Sequence, residues 1–400
     1  LWFTHEHMEG QQTAYNMLMA FELHAGIRVD LLGRAFNALV CRHEALRTTF
    51  ATTDDGCTVQ RVMEEMVLDI PELPITNPEM ELYVNAFANE SFDLASGPLL
   101  KAVVLKPETG CAVLLINTHH IVSDGWSEGV LTRDLQCLYR AAETGKEANL
   151  PVLPVQYTDY ACWQRRQDLS DHLDFWKTTL HGYEDGLDLP YDYPRPPTRA
   201  WRAGLVRYTY PKTLSQGVAR FGHAQGATLF MVLLSGLAVV LQRYTGRDDI
   251  CIGTTTAGRD AVELENLIGF FINILPLRLD LSGEPTAPEL LSRIKDTVLH
   301  GFAHHALPFE HLLKELRLQR ESSQVPLVPV VVRHQNYRQA SLEQIGHGLS
   351  VNRTFSVEKI TTSEMDFQFF GDGDALEVVI EYAADLFSEE TIQRLIQHHQ

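Results

Sequence analysis

The sequence predicts an α/β fold built from two lobes of comparable size. Four hundred residues are more than one ordinary hydrophobic core holds, which favours about two domains. Patterns typical of strands and of helices occur on both sides of a segment in which charges crowd over residues 165–174 and prolines over residues 187–197. We therefore predict an N-terminal lobe over residues 1–168 and a C-terminal lobe over residues 169–400.

Composition and charge narrow the choice of partners. The chain is 45% hydrophobic and 21% charged, a composition typical of soluble globular proteins. Its formal net charge of -19 argues against a surface for nucleic acid or for an anionic membrane, because no Lys/Arg patch supplies the attraction that such surfaces need. Small molecules or other protein domains are the better candidates.

The cellular setting is predicted from features that the sequence lacks. No apolar run is long enough to cross a membrane, and no secretory signal is visible. The six cysteines are scattered without a C-x-x-C spacing, which is typical of reduced thiols in a cytoplasmic protein. The chain begins without methionine and stops inside a helical pattern, so we expect it to be a piece of something longer.

The N-terminal lobe alternates helical and strand patterns. Helical patterns lie at 30–46, 125–145 and 157–163. Strand patterns lie at 58–63, 99–105 and 113–116. The last of these has four consecutive apolar residues, which is typical of a strand buried on both faces. Turn residues at 107–110 predict that it forms a hairpin with the preceding strand.

Two histidines stand where that buried strand ends. His119 and His120 are followed by Asp124 and Gly125, residue types that open helices. Adjacent residues on extended backbone point to opposite sides, so only one imidazole easily faces a given cavity. Imidazole is the usual general base near neutral pH, so we interpret one histidine as catalytic and the other as structural. The alternative is that adjacent histidines are a surface accident and that Asp-Gly is simply a turn.

Asp124 has several possible roles in this pattern. It could cap the helix, pair with an arginine or receive an imidazole proton. Arg42 and Arg47 are candidate partners, because an arginine can anchor a buried aspartate through a bidentate pair. For His43 and Glu44, which lie between them in sequence, we favour an exposed helix end.

In the C-terminal lobe two polar residues interrupt an apolar strand pattern over residues 267–278. Buried polar side chains need partners, so Asn273 and Arg278 face either a cavity or polar neighbours. The other strand patterns lie at 204–210, 249–254, 327–333, 367–370 and 376–382. Helical patterns lie at 228–241, 288–302 and 308–316.

Other chemistries leave little trace in the sequence. It contains no G-x-S-x-G, no G-x-x-x-x-G-K-[ST] and no H-E-x-x-H. His5-Glu6-His7 and His304-His305 lack a third spaced ligand, so no metal site is predicted.

Several motifs, taken in order along the chain, resemble those of a known family. His119-His120-x-x-x-Asp124-Gly125 resembles the His-His-x-x-x-Asp-Gly signature of the superfamily that contains chloramphenicol acetyltransferase and the condensation domains of nonribosomal peptide synthetases. Further stretches resemble the other condensation-domain motifs, at residues 1–3, 42–50, 157–163, 268–278 and 304–310. The ordered set is far more specific than the histidine signature alone, and it spans the chain from end to end.

The resemblance implies a fold and a set of partners. The fold is two chloramphenicol-acetyltransferase-like lobes arranged in a V with a central tunnel. Donor and acceptor carrier domains reach opposite mouths of that tunnel, each offering a thioester on a phosphopantetheine arm, and an adenylation domain is a neighbour in the same megasynthase. No cofactor is expected to bind the domain directly.

The resemblance also implies roles for individual residues. His120 is catalytic, as the base or as the group that positions the acceptor amine, and the backbone at Gly125 can approach the thioester closely. His119 and Asp124 are structural, and Asp124 pairs with an arginine. The arginines considered for this pair are, in order, Arg42 and Arg278. The residues assigned to the substrate tunnel are Trp126, Ser127, Asn273 and Asn336.

The implied function is amide-bond formation between the donor thioester and the acceptor amine, in the biosynthesis of an antibiotic or other secondary metabolite. Residues 123–127 are most similar to the class that joins an L-configured donor to an L-configured acceptor. Departures at 272–276 and 320–327, with residues 332–336, are similar to a subgroup that also dehydrates a seryl or threonyl residue. A third hypothesis is a non-catalytic platform that binds a carrier or tailoring enzyme, which the intact histidine motif disfavours.

Overall fold

The computed structural model describes the chain except for residues 3–4, 6–11, 25, 55, 198–200, 318–324, 336–348, 353–354, 356 and 373. The chain divides into two compact units. The first unit consists of Leu1–Gln167, Arg259–Phe271 and Gln339–Lys359. The second unit consists of Asp168–Gly258, Ile272–Arg338 and Ile360–Gln400.

This division differs from the two contiguous lobes that the sequence predicts. The chain first leaves the first unit after Gln167, next to the predicted boundary at 168/169, but two later segments return to it. The apolar pattern 267–278, predicted as one strand, is divided between the units, because Phe271 belongs to the first and a strand of the second begins at Asn273. Local periodicity carries no information about which unit a segment joins.

The first unit combines strands and helices. Its strands are β1 (Asn16–Leu23), β2 (Thr48–Thr52), β3 (Thr58–Val62), β4 (Glu72–Ile75), β5 (Leu100–Pro107), β6 (Val113–His119) and β11 (Leu349–Asn352). Its helices are α1 (Val29–Arg42), α2 (Asn77–Ala88), α3 (Gly125–Thr144) and α4 (Tyr157–Gln164). A five-stranded sheet has the order β11-β1-β6-β5-β4, and β2 and β3 form a separate hairpin.

Strand β6 lies at the centre of this sheet and is buried along its whole length, as the sequence predicts. It pairs antiparallel with β1, where His119 lies opposite Asn16, and antiparallel with β5. Leu114 and Ile116 pack in one apolar core with α1 and α3, whereas alternate residues of the strand pack in a second core with α2. Apolar cover on both faces explains the continuous apolar run.

Helix α3 begins immediately beyond the histidines because its cap residues follow them in sequence. The Asp124 carboxylate accepts a hydrogen bond from the Ser127 backbone N–H at 2.8 Å, as an N-cap does. The helix ends at Gly145, which has a φ of 65°, a left-handed conformation that glycine adopts without strain. Both ends are set by local sequence.

The second unit is also built from strands and helices. Its strands are β7 (Trp201–Thr209), β8 (Asp249–Thr256), β9 (Asn273–Asp280), β10 (Val330–Gln335), β12 (Ile360–Thr361), β13 (Met365–Phe370) and β14 (Glu377–Ala383). Its helices are α5 (Ser170–Thr179), α6 (Lys212–Ala224), α7 (Leu229–Thr245), α8 (Ala287–Ala303), α9 (Phe309–Glu315) and α10 (Glu389–His399). A seven-stranded sheet has the order β12-β7-β14-β13-β10-β8-β9.

The sheet of the second unit is mixed. Strand β10 runs parallel to β8 and β13, and the other pairs are antiparallel. Helices α7, α8 and α10 bury their apolar residues against one face, forming the largest core of the chain's described part. Apart from the pattern 267–278, whose strand begins only at Asn273, the strand and helix patterns predicted for this half agree with the observed elements to within a few residues.

Among the residues that the structure describes, no single helix is long and apolar enough to cross a membrane. One bent pair of helices, Lys212–Ala224 and Leu229–Thr245, with an angle of 108° between them, has the required combined length and composition. The second of these helices contributes its buried residues to the core of the second unit.

Candidate active site

His119, the first of the two histidines, is fully buried. Its Nδ1 accepts a hydrogen bond from the Ile121 backbone N–H at 3.1 Å, which holds the short 3₁₀ turn His120–Val122. Its ring centroid lies 5.1 Å from that of His5 and 6.0 Å from that of Phe92. Burial, followed by the proximity of His5, lowers the pKa of His119 to about 3, so its imidazole is neutral.

His120, the second histidine, is half-buried and is the first residue of the 3₁₀ turn His120–Val122. Its Nδ1 lies 2.8 Å from the Ser123 carbonyl oxygen. A carbonyl can only accept, so Nδ1 donates, and in the neutral ring the lone pair is then on Nε2. The ring of Phe270 packs edge-to-face against the imidazole, with 5.3 Å between centroids and 83° between planes. This tautomer is the one that a base acting through Nε2 requires.

Asp124 is enclosed by hydrogen-bond donors. Oδ1 accepts from the backbone N–H of Ser127 at 2.8 Å and lies 2.7 Å from the Ser127 hydroxyl. Oδ2 accepts from Arg259 Nη1 at 2.8 Å and from the Phe271 backbone N–H at 3.0 Å. Both oxygens of this buried side chain therefore have hydrogen-bond donors. Asp124 therefore caps α3 and also fastens the returning segment Arg259–Phe271 to it.

The arginine partner of Asp124 is Arg259, and both predicted partners are wrong. Arg42 donates instead to Asp134 Oδ2 at 2.9 Å, because the end of α1 packs against the middle of α3 and not against its beginning. Arg278 lies in the second unit and makes a bidentate pair with Asp249, at 2.9 and 2.8 Å. A signal for Arg259 existed in the sequence, because it follows a buried strand in a Gly-Arg-Asp stretch, but many arginines have such a context.

The end of α1 differs from the exposed helix end that the sequence favours, because His43 is buried and Glu44 is half-buried. His43 is 1% exposed and its Nε2 lies 2.9 Å from Asp134 Oδ2. Burial lowers the pKa of His43. Asp134 also accepts from Arg133, and although burial opposes ionisation, the hydrogen bonds from His43 and Arg133 lower its pKa. This network is a structural link between α1 and α3.

The whole chain matches one family of proteins. Residues 1–400 match the family model described as Condensation domain. The chain belongs to the condensation-domain family. Members of this family form amide bonds by acyl transfer, so the enzyme class predicted from the sequence, an acyltransferase, is confirmed.

This condensation domain is similar to parts of much longer proteins. It is 35% identical over 410 residues to a linear gramicidin synthase polypeptide of Brevibacillus parabrevis, covering 100% of this chain and 5% of that protein. It is 36% identical over 411 residues to a dimodular nonribosomal peptide synthase of Bacillus subtilis, covering 99% and 17% respectively. The domain thus spans a small fraction of these relatives.

Solved structures show the same fold. The X-domain from teicoplanin biosynthesis superimposes with a TM-score of 0.90 at 26% identity, covering 100% of this chain and 92% of that one. The condensation domain of the Monacolin K polyketide synthase MokA superimposes with a TM-score of 0.82 at 20% identity, covering 97% and 91%. The predicted α/β fold is confirmed by these likenesses.

Three predicted residues lie at the start of α3 of the condensation domain. Gly125 is exposed in the first turn, where a ligand can approach its backbone. Trp126 is 41% exposed, and its indole N–H donates to the Glu265 carbonyl oxygen at 2.9 Å. Ser127 is fully buried, with its Oγ 2.8 Å from Arg259 Nη2, so the assignment of Ser127 to a tunnel wall is wrong.

Asn273, assigned to the tunnel, has a structural role in the second unit. Its amide nitrogen donates to the carbonyl oxygens of His305 and Leu307, both at 2.8 Å. Its Oδ1 accepts from the backbone N–H of Phe309 at 3.0 Å and of Ile274 at 2.9 Å. The Asn273 side chain thus donates two hydrogen bonds and accepts two, and it connects β9 to the turn between α8 and α9. Asn336 lies outside the described residues.

The described residues include no group of three or more His, Cys, Asp or Glu side chains placed to hold a metal ion. Sequence patterns did not indicate Arg259 as the partner of Asp124, or the ring of Phe270 that packs on His120. Phe270 and its neighbours are distant from His120 in sequence, and no local pattern pairs the two.

Proposed function

We propose that this condensation domain joins a carrier-bound donor acyl or peptidyl thioester to the amine of a carrier-bound aminoacyl acceptor, in the class that joins L to L. The observation that carries the proposal is the hydrogen bond from His120 Nδ1 to the Ser123 carbonyl oxygen. It fixes the tautomer in which Nε2 can accept a proton. The class is supported by the resemblance of residues 123–127 to the L-to-L type.

The reaction forms one C–N bond and breaks one C–S bond. The acceptor amine attacks the donor carbonyl to give a tetrahedral oxyanion, the amine loses a proton, and the phosphopantetheine thiolate leaves with that proton. His120 Nε2 either takes the proton or orients the amine through a hydrogen bond. Holding two tethered substrates together supplies a further large share of the rate, because it makes the reaction effectively unimolecular.

Helix α3 supports the same chemistry at its N-terminus. The first-turn N–H groups of a helix have no intrahelical acceptors, and the helix dipole favours negative charge there. Gly125 is the first residue of this 20-residue helix and is exposed. Its backbone is therefore suited to stabilise the developing oxyanion.

The partners follow from the proposed reaction. Donor and acceptor carrier domains present their phosphopantetheine arms, and an adenylation domain in the same polypeptide loads the acceptor carrier. The domain itself binds no cofactor or metal, its surface binds neither nucleic acid nor membrane, and it works in the cytoplasm. The synthetase as a whole makes a secondary metabolite such as a peptide antibiotic.

One competing function has specific support. The X-domain likeness extends to a structure described as the complex of the X-domain and OxyB from teicoplanin biosynthesis, with a TM-score of 0.89 and 27% identity. Because that structure holds this fold in a complex with another protein, the second candidate is a non-catalytic platform that binds a carrier or a tailoring enzyme. The positioned imidazole of His120 favours catalysis over this role.

The test uses the synthetase polypeptide with loaded donor and acceptor carriers, with intact-protein mass spectrometry as the readout. We expect the wild type to transfer the donor acyl group to the acceptor carrier, and His120→Ala to abolish transfer. A wild type without turnover contradicts the proposal and favours the platform. Loss of one water mass from a hydroxylated acceptor would instead indicate a domain that condenses and dehydrates.

A further inference from the structure

We infer that Phe270 is a positioning residue for His120 and that the Tyr157 hydroxyl holds Phe270 in place. The inference rests on the proposed function, because it takes His120 as the group that meets the acceptor amine. The residues involved all belong to the first unit, although they lie far apart in sequence.

The first step is the contact between Phe270 and His120. The two ring centroids are 5.3 Å apart and the ring planes meet at 83°, a favourable edge-to-face geometry. The hydrogen bond from Nδ1 to the Ser123 carbonyl fixes one edge of the imidazole. It does not by itself fix the tilt of the ring. Packing of the Phe270 ring restricts this tilt, and the two contacts together set the direction of Nε2.

The second step is the way the backbone around Phe270 is held. Gly269 donates its N–H to Ser127 Oγ at 3.1 Å, and Phe271 donates its N–H to Asp124 Oδ2 at 3.0 Å. The carbonyl oxygen of Phe270 accepts from the Tyr157 hydroxyl at 2.8 Å. Three consecutive residues are thus anchored, and the bond to Phe270 itself comes from Tyr157.

The third step is the fit of Tyr157 against Gly269. A Cβ at position 269 would lie 2.2 Å from Tyr157 Cδ2, so the tyrosine ring occupies the space that any side chain there would fill. The ring also packs edge-to-face on Phe271, with 5.1 Å between centroids. A glycine at 269 is therefore what lets the Tyr157 hydroxyl reach the Phe270 carbonyl.

The experiment measures steady-state condensation by the intact synthetase polypeptide. Tyr157→Phe removes only the hydroxyl, and we expect kcat to fall about five-fold to ten-fold with unchanged KM for both carriers, as for the loss of one hydrogen bond. Tyr160→Phe is the matched control, because the Tyr160 ring packs on Phe271 as the Tyr157 ring does, whereas the Tyr160 hydroxyl accepts its hydrogen bond from Gln164. Equal effects of the two variants would overturn the role of Tyr157.

Phe270 is tested directly and through its conservative variant. We expect Phe270→Ala to lower kcat about 30-fold and Phe270→Tyr, which keeps the ring, to restore most of it. His120→Ala is expected to abolish the catalysed transfer, so in that background Phe270→Ala should not change the uncatalysed background rate that remains. A further loss there equal to the loss in the wild type would mean that Phe270 is merely structural, and would overturn the inference.

A spectroscopic readout is independent of turnover. In protein labelled with ¹⁵N-histidine, the His120 signals, identified from their loss in His120→Ala, should show the tautomer protonated at Nδ1, and Phe270→Ala should give a mixture of tautomers. An unchanged tautomer in Phe270→Ala would overturn the inference. If the wild type makes no product but these spectra behave as expected, the proposed function fails and the positioning of His120 stands.

Discussion

Arg259 and Asp124 form an ion pair with 2.8 Å between Nη1 and Oδ2, and their side chains are only 1% and 2% exposed. The pair connects residues far apart in the chain, and Arg259 also lies over the ring of Phe271, 4.1 Å from its centroid. The turn that carries His120 and the segment that carries Phe270 are fastened together through this pair.

Removal of the arginine is expected to be costly. Arg259→Met should lower the free energy of unfolding by about 3–5 kcal/mol, because it leaves the Asp124 carboxylate buried without its counter-ion. Denaturant titration measures the change. Arg28→Ala is the control, since Arg28 and Asp30 form an exposed pair, with side chains 64% and 53% accessible, whose loss should change the free energy of unfolding far less. Similar losses in both variants would contradict the structural role of Arg259.

The buried His119 predicts a pH dependence of stability. Its pKa of about 3 in the folded state is below the ordinary value of 6.5, so the unfolded chain binds the proton more readily. The contribution of the neutral His119 ring to the free energy of unfolding is fully present above pH 6.5. It is lost as the pH falls toward 3, at about 1.4 kcal/mol per pH unit.

His119→Asn removes this titration while its amide oxygen can still accept from the Ile121 N–H. Denaturant titrations of wild type and variant between pH 7.5 and pH 5 should therefore show the wild type losing stability relative to the variant as the pH falls. A difference in unfolding free energy that does not change with pH would rule out a buried neutral imidazole at position 119.

The raised pKa of Glu128 predicts the opposite dependence of stability on pH. It lies half-buried in the first turn of α3, where burial and the nearby Asp124 raise its pKa from 4.5 to about 7, while Lys359 opposes the shift. The charged form is disfavoured in the fold, so stability is lost as the pH rises from 4.5 through 7.

Glu128→Gln cannot ionise and should avoid this loss. We expect the variant to be more stable than the wild type by about 1–3 kcal/mol at pH 8 and equally stable near pH 4.5, as measured by chemical denaturation. Glu289→Gln is a suitable contrast, because the hydrogen bonds from Thr286 lower the pKa of Glu289. This variant should therefore be less stable than the wild type at pH 8. A variant of Glu128 that is less stable at pH 8 would contradict the raised pKa.

Asn273 tests whether a residue assigned to the substrate path is structural. Asn273→Ala should lower the free energy of unfolding by about 2–4 kcal/mol, because it leaves backbone groups of the α8–α9 turn without their partner. Thermal or chemical denaturation checks this, with Gln393→Ala as the control, since Gln393 makes one exposed hydrogen bond to Glu389. Unchanged stability combined with a raised KM would favour a substrate contact instead.

The elements around β6 could be predicted because their signals are local. The apolar run before His119, the cap at Asp124 and the stop at Gly145 are all encoded within about one element of the residues that they affect. The prediction that the two histidines differ in exposure is confirmed, since His119 is buried and His120 is half-buried, although His120 lies in a 3₁₀ turn and not on the extended strand. Such features depend only on residues that are close in sequence, so one sequence is enough to predict them.

The predictions from sequence were wrong where a contact joins segments that are far apart in the chain. Arg42 and Arg259 are both arginines that follow a regular element, and only the packing of α1 against the middle of α3 directs Arg42 to Asp134. The sequence resemblance assigns Ser127 to the substrate tunnel, but in the structure the returning segment Arg259–Phe271 buries this side chain. The same return brings Phe270 to His120, a contact that no spacing in the sequence indicates.

By itself, the sequence determined the strand and the helix that frame the histidine motif, because hydrophobic periodicity and capping are local, and the ordered motifs determined the family, which in turn singled out His120. Tertiary structure alone decided the counter-ion of Asp124, the membership of the segment Arg259–Phe271 in the first unit and the rings that surround both histidines. Those outcomes depend on which of many similar side chains reach the same buried point, and that is a property of the folded chain.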